Sequence, residues 1–332
     1  MKNTKVYLRK EDKEEKVKIT GINKPKISSQ AVTKWQRILN LMAKIIDVPA
    51  GLIMNITEDS MVVFLKSQNN ENPYPEGGSD TLGHGLYCET VIGKDKELLV
   101  EDALKSMKWK DNPDVKLNMI SYYGLPIKWP DEEFFGTICV LDSKANNYSE
   151  EYKELIKEFK SVIEDDLKML LYQKKLKYYS ETDILTSVYN RRKLEKTLTN
   201  EFKRSKRTKN IFSISIMDIN KLKYINDNYG HNVGDTLIKT FAKTFENRIR
   251  TTDYFGRWGG DEFLLICPDT EENDIGKLML DIEKTVEKEL DEAGKNFGFS
   301  YGCSQFSFED ERFENIIKRA DEKLYECKNN LK

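Results

Sequence analysis

The chain has 332 residues, of which 39% are hydrophobic and 33% charged, a composition typical of a soluble globular protein of about two domains. Lysine and arginine number 54 against 56 for aspartate and glutamate, which excludes the chain-wide basic field of a nucleic-acid-binding protein. No apolar run reaches membrane-spanning length, the N-terminus lacks the apolar core of a signal peptide, and the five cysteines are scattered, so we expect a cytoplasmic protein without membrane or nucleic-acid partners.

Residues 1–29 are a polar N-terminal segment, for which we expect little order beyond a short strand around residues 17–22. From residue 30 to 170 helix and strand patterns alternate. A helical apolar spacing begins at residue 30 and stops at Asp47, and a second, shorter helix is expected near 86–92. The expected strands are GLIMNI, MVVFLK, LLVED, SYYGLPIKW and FFGTICVLDS. This pattern predicts an α+β domain with an antiparallel sheet of five to six strands and flanking helices.

Residues 149–181 contain no glycine or proline and predict one long helix that overlaps the end of the first domain. Its apolar residues recur at alternating spacings of three and four. Such a stripe can pack on its own domain or pair two chains in a parallel coiled coil, and we favour the coiled coil. The residues of the stripe are Tyr152, Ile156, Phe159, Ile163, Leu167 and Leu170.

Residues 182–332 again alternate between helices and strands, with helices expected at about 191–206, 221–228, 235–249, 272–293 and 313–329. Strands are expected at 212–219 and 297–305, and a hairpin at 253–267. This pattern predicts an α/β sandwich on a mostly antiparallel sheet. The string RWGGDEF (257–263) lies at the bend of the hairpin.

Two adjacent carboxylates, Asp261 and Glu262, occupy this bend. Because neighbouring carboxylates repel, a turn that only needs shape would use Asn-Gly; a plain exposed hairpin is the alternative interpretation. Asp218, at the end of an apolar strand, would add a further carboxylate and complete an oxygen site suited to Mg²⁺. Arg257 is expected to relieve the repulsion. Lys223, in a first helical turn, would lie near phosphates; the alternative is that it is only an exposed lysine of the helix.

Asn226 and Asp235 form a second group. A carboxylate accepts from guanine N1–H and N2–H₂, and an Asn amide can meet the other edge of the base, so a pocket holding both prefers guanine over adenine. The alternative is that Asp235 is only the N-cap of the following helix.

Four spaced motifs resemble the GGDEF domain of diguanylate cyclases. They are DILTSVYNRR (183–192), DINKLKYINDNYGHNVGD (218–235), RWGGDEF (257–263) and RADEKLYECK (319–328). The resemblance covers residues 182–332 and implies a nucleotidyl cyclase-like fold. It also implies that two GTP molecules, one on each subunit of a homodimer, are condensed into cyclic di-GMP and two pyrophosphates.

The resemblance further implies a role for each matching residue. Mg²⁺ or Mn²⁺ is bound by Asp218, Asp261 and the carbonyl of Ile219. Either Glu262 or Asp261 is the base for the 3′-hydroxyl, and the two glycines let the backbone pass close to the nucleotide. The remaining substrate contacts are assigned to Leu222, Lys223, Asn226, Asp235, Gly259, Gly260, Lys328 and Lys332.

Arg250 and Asp253 lie nine and six residues before Gly259, the spacing of the family's inhibitory product site. An arginine can stack on guanine and donate to it, and an aspartate can accept from its N–H edge. We therefore expect cyclic di-GMP to bind here as an inhibitor. A salt bridge at a helix end is the alternative.

Residues 30–170 resemble a GAF domain, a sensor fold that binds small molecules, through GLYCETVI (85–92) and SYYGLPIKWPDEEFFGTICVLDSK (121–144). An unidentified small-molecule ligand is implied, with Cys88, Glu89, Tyr122 and Trp129 as pocket candidates. Ordinary core positions are the alternative, which we favour for most of these residues. Three alternatives to a regulated cyclase stay open. They are an inert receptor for cyclic di-GMP, a purely ligand-sensing or structural dimer, and a related cyclase that also accepts ATP.

Overall fold

The computed structural model of the protein describes residues 2–8, 11, 13–21, 23–291 and 298–330. The chain divides into two compact units, residues 1–174 and 175–332, each built on its own sheet. Within the described residues, every helix is too short or too polar to cross a membrane.

Within its described residues, the first unit contains an eight-stranded sheet, three α-helices and two short 3-10 helices. Strands β3, β4 and β5 follow β8 on one side of the sheet, and β7 and then β6 follow it on the other. The N-terminal hairpin joins the start of β8 through one parallel bridge, Ile19 to Phe134. The elements are β1 (Lys2–Leu8), β2 (Lys13–Ile19), α1 (Ser29–Ile46), β3 (Ala50–Ile56), β4 (Ser60–Lys66), β5 (Ser79–Thr81), α2 (Tyr87–Lys94), β6 (Leu98–Val100), β7 (Ser121–Lys128), β8 (Phe134–Asp142) and α3 (Glu150–Glu181).

The N-terminal segment is more ordered than its composition predicts. β1 and β2 form a regular antiparallel hairpin with Lys2 opposite Ile19. Val6 and Leu8 on one strand, and Val17 and Ile19 on the other, are buried while the residues between them are mostly exposed. The period-two alternation of a half-buried sheet therefore outweighs the high lysine and glutamate content that suggested a loose segment.

The helix α1 begins where Ser28 accepts a hydrogen bond from the Ala31 N–H and ends at Asp47, which adopts a left-handed conformation with φ 58°. Its Trp35 is fully buried, and the indole Nε1 donates to the Asp166 carboxylate of α3 at 2.8 Å. α1 and α3 therefore share the core on one face of the sheet.

The apolar stripe of α3 packs on its own unit, which was the less favoured interpretation. Ile156, Ile163 and Leu167 are fully buried in this core, so over this stretch they do not form the seam of a coiled coil. Further along the same helix, Leu176 and Tyr179 are exposed over 68% and 65% of their surface. Sequence spacing alone cannot distinguish these two uses, because a core-facing helix and a coiled-coil helix share nearly the same period.

The second unit contains a five-stranded sheet in the order β13-β10-β12-β11-β9, antiparallel except for the parallel pair β9–β11. Phenylalanine rings fill one face of this sheet. The ring centroids of the stacked Phe245 and Phe255 lie 4.8 Å apart, and those of Phe241 and Phe263 lie 4.9 Å apart. The elements are β9 (Tyr189–Asn190), α4 (Arg191–Thr208), β10 (Phe212–Ile219), α5 (Leu222–Tyr229), α6 (His231–Glu246), β11 (Tyr254–Gly259), β12 (Glu262–Pro268), α7 (Glu272–Asp291), β13 (Phe299–Gln305) and α8 (Phe313–Asn330).

Helix α8 lies unusually close to β13. A Cβ atom placed on Gly302 would stand 2.1 Å from the carbonyl oxygen of Ala320 and 2.4 Å from the amide nitrogen of Leu324, so only glycine permits this approach. The close packing fixes the position of the C-terminal half of α8 relative to the sheet.

Candidate functional site

Carboxylates from neighbouring strands meet at one end of the second sheet. Asp218, near the end of β10, pairs in register with Glu262 at the start of β12 and with Ser300 on β13. Asp261 occupies the turn just before β12, and its carbonyl accepts the Ile219 N–H at 3.1 Å. Antiparallel pairing thus brings together three acids that are up to 44 positions apart in the chain.

Arg257 stabilises the Gly-Gly turn through its side chain. Its guanidinium donates to the Gly260 carbonyl at 2.9 and 2.7 Å and to the Asp183 carboxylate at 3.4 Å. We expected Arg257 to relieve the repulsion between Asp261 and Glu262, and this contact set instead makes it a brace for the turn. Asp183 belongs to the motif at 183–192 and also accepts from the Thr186 N–H and hydroxyl, so it links that motif to the turn.

The outer surface of this turn is open. The strand has an irregular register between Arg257 and Gly259, and Gly260 has a φ of 25°, which favours glycine. A Cβ atom on Gly259 would meet only Glu262 Oε2, at 3.7 Å, and one on Gly260 would meet nothing within 4 Å. The described residues therefore leave space over the turn for another molecule.

Within the described part of the chain, Lys328 of α8 is the cation paired with the acidic cluster. Its Nζ lies 2.7 Å from Asp218 Oδ2. Burial raises the pKa of Asp218, and the Asp261 charge adds to the rise, whereas Lys328 opposes it. Burial also raises the pKa of Glu262, followed by the charges of Asp218 and Asp261. Lys328 therefore does not cancel the combined effect of burial and of the neighbouring carboxylates on these two pKa values.

A divalent cation fits this cluster as a site completed by substrate. No group of three or more His, Cys, Asp or Glu side chains among the described residues is arranged as a ready metal cage. Mg²⁺, however, is usually bound by one or two carboxylates plus the phosphates of a substrate. Asp218, Asp261 and the Ile219 carbonyl supply hard oxygen ligands of this kind, and the raised carboxylate pKa values are consistent with a site that gains from a cation.

The raised pKa of Glu262 predicts that its ionised side chain lowers the folding stability of the protein. A carboxyl whose folded pKa is raised binds its proton more tightly when folded, so stability falls as pH rises from the ordinary to the raised value. At pH 7.5 the charge is present, and Glu262→Gln should raise the melting temperature by about 1–2 °C, with no rise at pH 4. Calorimetric melting checks this, with the exposed Glu309→Gln as control. A lower melting temperature at pH 7.5 would contradict the sign.

The two residues expected to read guanine lie on consecutive helices. Asn226 is on α5 and Asp235 on α6, and both are half-buried. A Cβ atom on Gly234 would stand 2.0 Å from Asn226 Oδ1, so the amide packs directly on the backbone beside Asp235. The helix α6 begins at His231, four residues before Asp235, so the alternative in which Asp235 is an N-cap is wrong. Gly230, with φ 85°, joins the two helices.

The residues expected to hold phosphate differ in their exposure and in their contacts. Lys223 is exposed on the first turn of α5. Leu222, which precedes it, is only 8% exposed and packs in the core, so its predicted substrate contact is limited to its backbone and a small part of its side chain. Lys328 pairs with Asp218, and Lys332 lies outside the described residues.

Arg250 and Asp253 form one tight turn. The Asp253 carboxylate accepts from the Arg250 backbone N–H at 3.0 Å, and the Asp253 N–H donates to the Arg250 carbonyl at 3.0 Å. Burial raises the pKa of Asp253, and Arg250 opposes the rise. Arg250 is exposed, and both residues line a cleft of about 440 Å³ that also includes Tyr178 and Glu181 at the end of α3.

In the first unit, Cys88 and Tyr122 line a cavity of about 180 Å³, whereas Glu89 and Trp129 are not among its lining residues. The Glu89 carboxylate is fully buried and accepts from the backbone N–H groups of Tyr7, Gly83 and Leu86. Trp129 is buried in the core on the α1 side and donates to the Thr20 hydroxyl. Glu89 and Trp129 therefore have structural roles, the alternative favoured for most of the pocket candidates, and neither lines this cavity.

Several residues near the site were missed from the sequence. Asp321 of α8 adds to the charge that raises the pKa of Glu262, and it lies within the quoted motif 319–328, where its spacing could have drawn attention. The Arg191 guanidinium stacks 4.7 Å from the Trp258 ring and so links two of the motifs. Gly234 carried no signal beyond being a glycine in a helix.

Residues 180–332 match the family model described as "Diguanylate cyclase, GGDEF domain". The diguanylate cyclase DosC of Escherichia coli K12 is 34% identical over 150 residues, which is 44% of this chain and 32% of DosC. The chain thus aligns with about a third of that relative. DgcP of the same organism is 24% identical over 320 residues, covering 90% of this chain and 93% of DgcP. Among solved structures, that of the diguanylate cyclase SiaD with its activator SiaC from Pseudomonas aeruginosa is 29% identical, with a TM-score of 0.45 over 55% of this chain and 72% of that one.

Proposed function

We propose that the GGDEF domain formed by residues 180–332 makes this protein a diguanylate cyclase, which condenses two GTP molecules into cyclic di-GMP and two pyrophosphates. The observation that carries the proposal is the cluster of Asp218, Asp261 and Glu262 at one end of the sheet, beneath an open Gly-Gly turn and in contact with Lys328. The names of the relatives that match this domain support it.

A divalent cation, Mg²⁺ or Mn²⁺, bound by Asp218, Asp261 and the Ile219 carbonyl would neutralise charge on the phosphates and help align the attack. Lys328, already beside Asp218, and Lys223, exposed on the first turn of α5, extend this positive field along the triphosphate. The α-phosphorus accepts the 3′-oxygen of the other GTP as its bond to the pyrophosphate leaving group breaks.

Of the two candidate bases, we assign proton acceptance from the 3′-hydroxyl to Glu262. Its pKa is raised by burial and by Asp218 and Asp261, which makes it a stronger base than an exposed glutamate. Asp261 then remains free to bind the cation. Because the base must be ionised, turnover should decline as pH falls through the raised pKa of Glu262.

Cyclic di-GMP needs two attacking hydroxyls and two α-phosphates, and one domain is proposed to hold one GTP. Two copies of the domain must therefore face each other, so we propose a homodimer as the active form. The exposed Leu176 and Tyr179 on the last turns of α3 support this, since they offer apolar surface to a second chain just before the catalytic domain.

We propose that Asn226 and Asp235 select guanine. Asp235→Ser removes the acceptor for guanine N1–H and N2–H₂, so kcat/KM for GTP should fall about 10- to 100-fold while that for ATP changes little. Steady-state kinetics with both nucleotides measure this, with exposed Asp281→Ser as the control. A variant that stays as selective for GTP as the native enzyme would remove the assignment.

We also propose that the Arg250–Asp253 turn binds the product. The exposed guanidinium next to a 440 Å³ cleft supports this. Arg250→Ala should raise the concentration of cyclic di-GMP needed for half-inhibition by about tenfold or more, because it deletes the group that stacks on and donates to guanine. Inhibition curves with added product test it. The exposed Arg248→Ala, two residues away, is the matched control, and superimposable curves for Arg250→Ala and native protein would refute it.

The first unit is proposed to act as a GAF-like sensor that regulates the cyclase. Its cavity, lined by Cys88 and Tyr122 among others, supports a small-molecule ligand.

A further inference from the structure

The cavity of the first unit lies between the sheet and the segments that cover it. Its floor is formed by apolar side chains of β3, β4 and β8, among them Leu52, Met54 and Leu141. Its wall carries the Tyr74 and Tyr122 side chains and the Asp114 carboxyl. With a volume of about 180 Å³, it is slightly larger than the engineered cavity of about 150 Å³ that holds benzene.

The charge of this cavity is one-sided. Asp80 and Asp114 are among its lining residues, and the described lining includes no lysine, arginine or histidine. Burial raises the pKa of Asp114 to about 6, and the nearby Asp80 charge adds to the rise, while a hydrogen bond of 2.6 Å from the Tyr74 hydroxyl opposes it. Asp114 is therefore ionised at pH 7.5 at the edge of a largely apolar space.

The other titratable side chains of the described lining are tyrosines and cysteines, which cannot carry a positive charge. A hydrogen bond with Cys139 lowers the pKa of the Cys88 thiol, so any charge on that group would also be negative. Burial holds the pKa of the Tyr74 and Tyr122 hydroxyls and of the Cys139 thiol well above their ordinary values, so these groups stay neutral at pH 7.5. A carboxylate that lies beside apolar surface without a cationic partner has an unfavourable desolvation free energy. A ligand that brings a positive charge offsets this free energy when it binds.

We propose that this cavity binds a small organic monocation, a primary amine carried on an aromatic or apolar body of about six to ten non-hydrogen atoms, with the ammonium group at Asp114. The Tyr74 and Tyr122 rings and the Met54 thioether suit an aromatic body. Anions, including nucleotides and other phosphates, are disfavoured because they would meet two carboxylates and no cation.

The inference goes beyond the proposed cyclase activity, and its test does not depend on it. Titration calorimetry at pH 7.5 on the full chain uses three probes of nearly equal size: phenethylamine, 2-phenylethanol and phenylacetate. We expect one phenethylamine per chain, with binding at least about tenfold tighter than that of the neutral alcohol, and no heat from the anion. Equal binding of amine and alcohol, or binding of phenylacetate, would overturn the proposal, as would the absence of phenethylamine binding.

The matched variants are Asp114→Asn and Asp111→Asn. The amide introduced by Asp114→Asn keeps an oxygen that can accept the Tyr74 hydroxyl but loses the charge, whereas Asp111 is exposed and outside the cavity lining. Asp114→Asn should weaken the binding of phenethylamine about tenfold and leave the affinity for 2-phenylethanol unchanged. Asp111→Asn should change neither affinity. Equal losses in both variants would overturn the assignment of the ammonium to Asp114. If Asp114→Asn does not fold, the comparison of the three probes on the native chain decides.

Discussion

Asp261→Ala is expected to lower the rate of cyclic di-GMP formation by about 10³-fold or more, because it removes a proposed ligand of the divalent cation. The fold should survive. Asp261 holds the turn through its backbone carbonyl, which accepts the Ile219 N–H, and Arg257 braces the turn through the Gly260 carbonyl. Losing the charge also relieves repulsion with Asp218 and Glu262. The melting temperature should therefore equal or exceed that of the native protein.

The measurement is the initial rate with saturating GTP and Mg²⁺, together with a thermal melt. Asp274→Ala is the matched control, since Asp274 is exposed, lies at the start of α7 and pairs only locally with Lys277. It should retain native turnover. Undiminished turnover by Asp261→Ala would show that this carboxylate is not needed for the reaction, and the assignment of the cation site would be wrong.

Glu89→Ala is expected to lower the free energy of unfolding of the first unit by about 3 kcal/mol or more. The carboxylate is fully buried and accepts three backbone N–H groups, from Tyr7 of β1 and from Gly83 and Leu86 before α2. Removing it leaves those donors without an acceptor and frees the N-terminal hairpin from α2. Glu89→Gln should lower the free energy of unfolding by less, because its amide oxygen can still accept hydrogen bonds from these N–H groups.

Urea denaturation followed by circular dichroism measures the difference, with Glu71→Ala as a control at an exposed loop position. The expected order of stability is native and Glu71→Ala, then Glu89→Gln, then Glu89→Ala. If Glu89→Ala unfolds at the same urea concentration as Glu71→Ala, Glu89 has no structural role of the kind described.

The acidic cluster could be predicted from sequence because its residues lie at strand ends that local patterns define. The apolar run 212–219 places Asp218, and the glycines at 259–260 place Asp261 and Glu262. Which cation neutralises them could not be predicted. Arg257 is the cation nearest to Asp261 along the chain, but its guanidinium donates to the Gly260 carbonyl. Lys328, 110 residues from Asp218, reaches the cluster because α8 packs on Gly302.

The first unit shows where sequence patterns mislead. The chemistry of Glu89 and Trp129 suits a ligand pocket, but in the structure both hydrogen-bond to protein groups outside the cavity lining. Asp114, which does line the cavity, cannot be predicted from the sequence because it lies in a polar loop whose position depends on long-range packing. Of the N-terminal hairpin, only part of the second strand is predicted, since the hairpin has few apolar residues and its partner strand, β8, lies more than 100 residues away.

The most direct test of the proposed function is to incubate the purified protein with Mg²⁺ and either GTP or ATP and to separate the products by chromatography. The account predicts cyclic di-GMP and pyrophosphate from GTP, and no cyclic dinucleotide from ATP. Arg250→Ala protein freed of bound nucleotide is assayed in parallel, so that bound product cannot hide the activity. No cyclic di-GMP from either preparation would contradict the cyclase and favour a receptor for cyclic di-GMP.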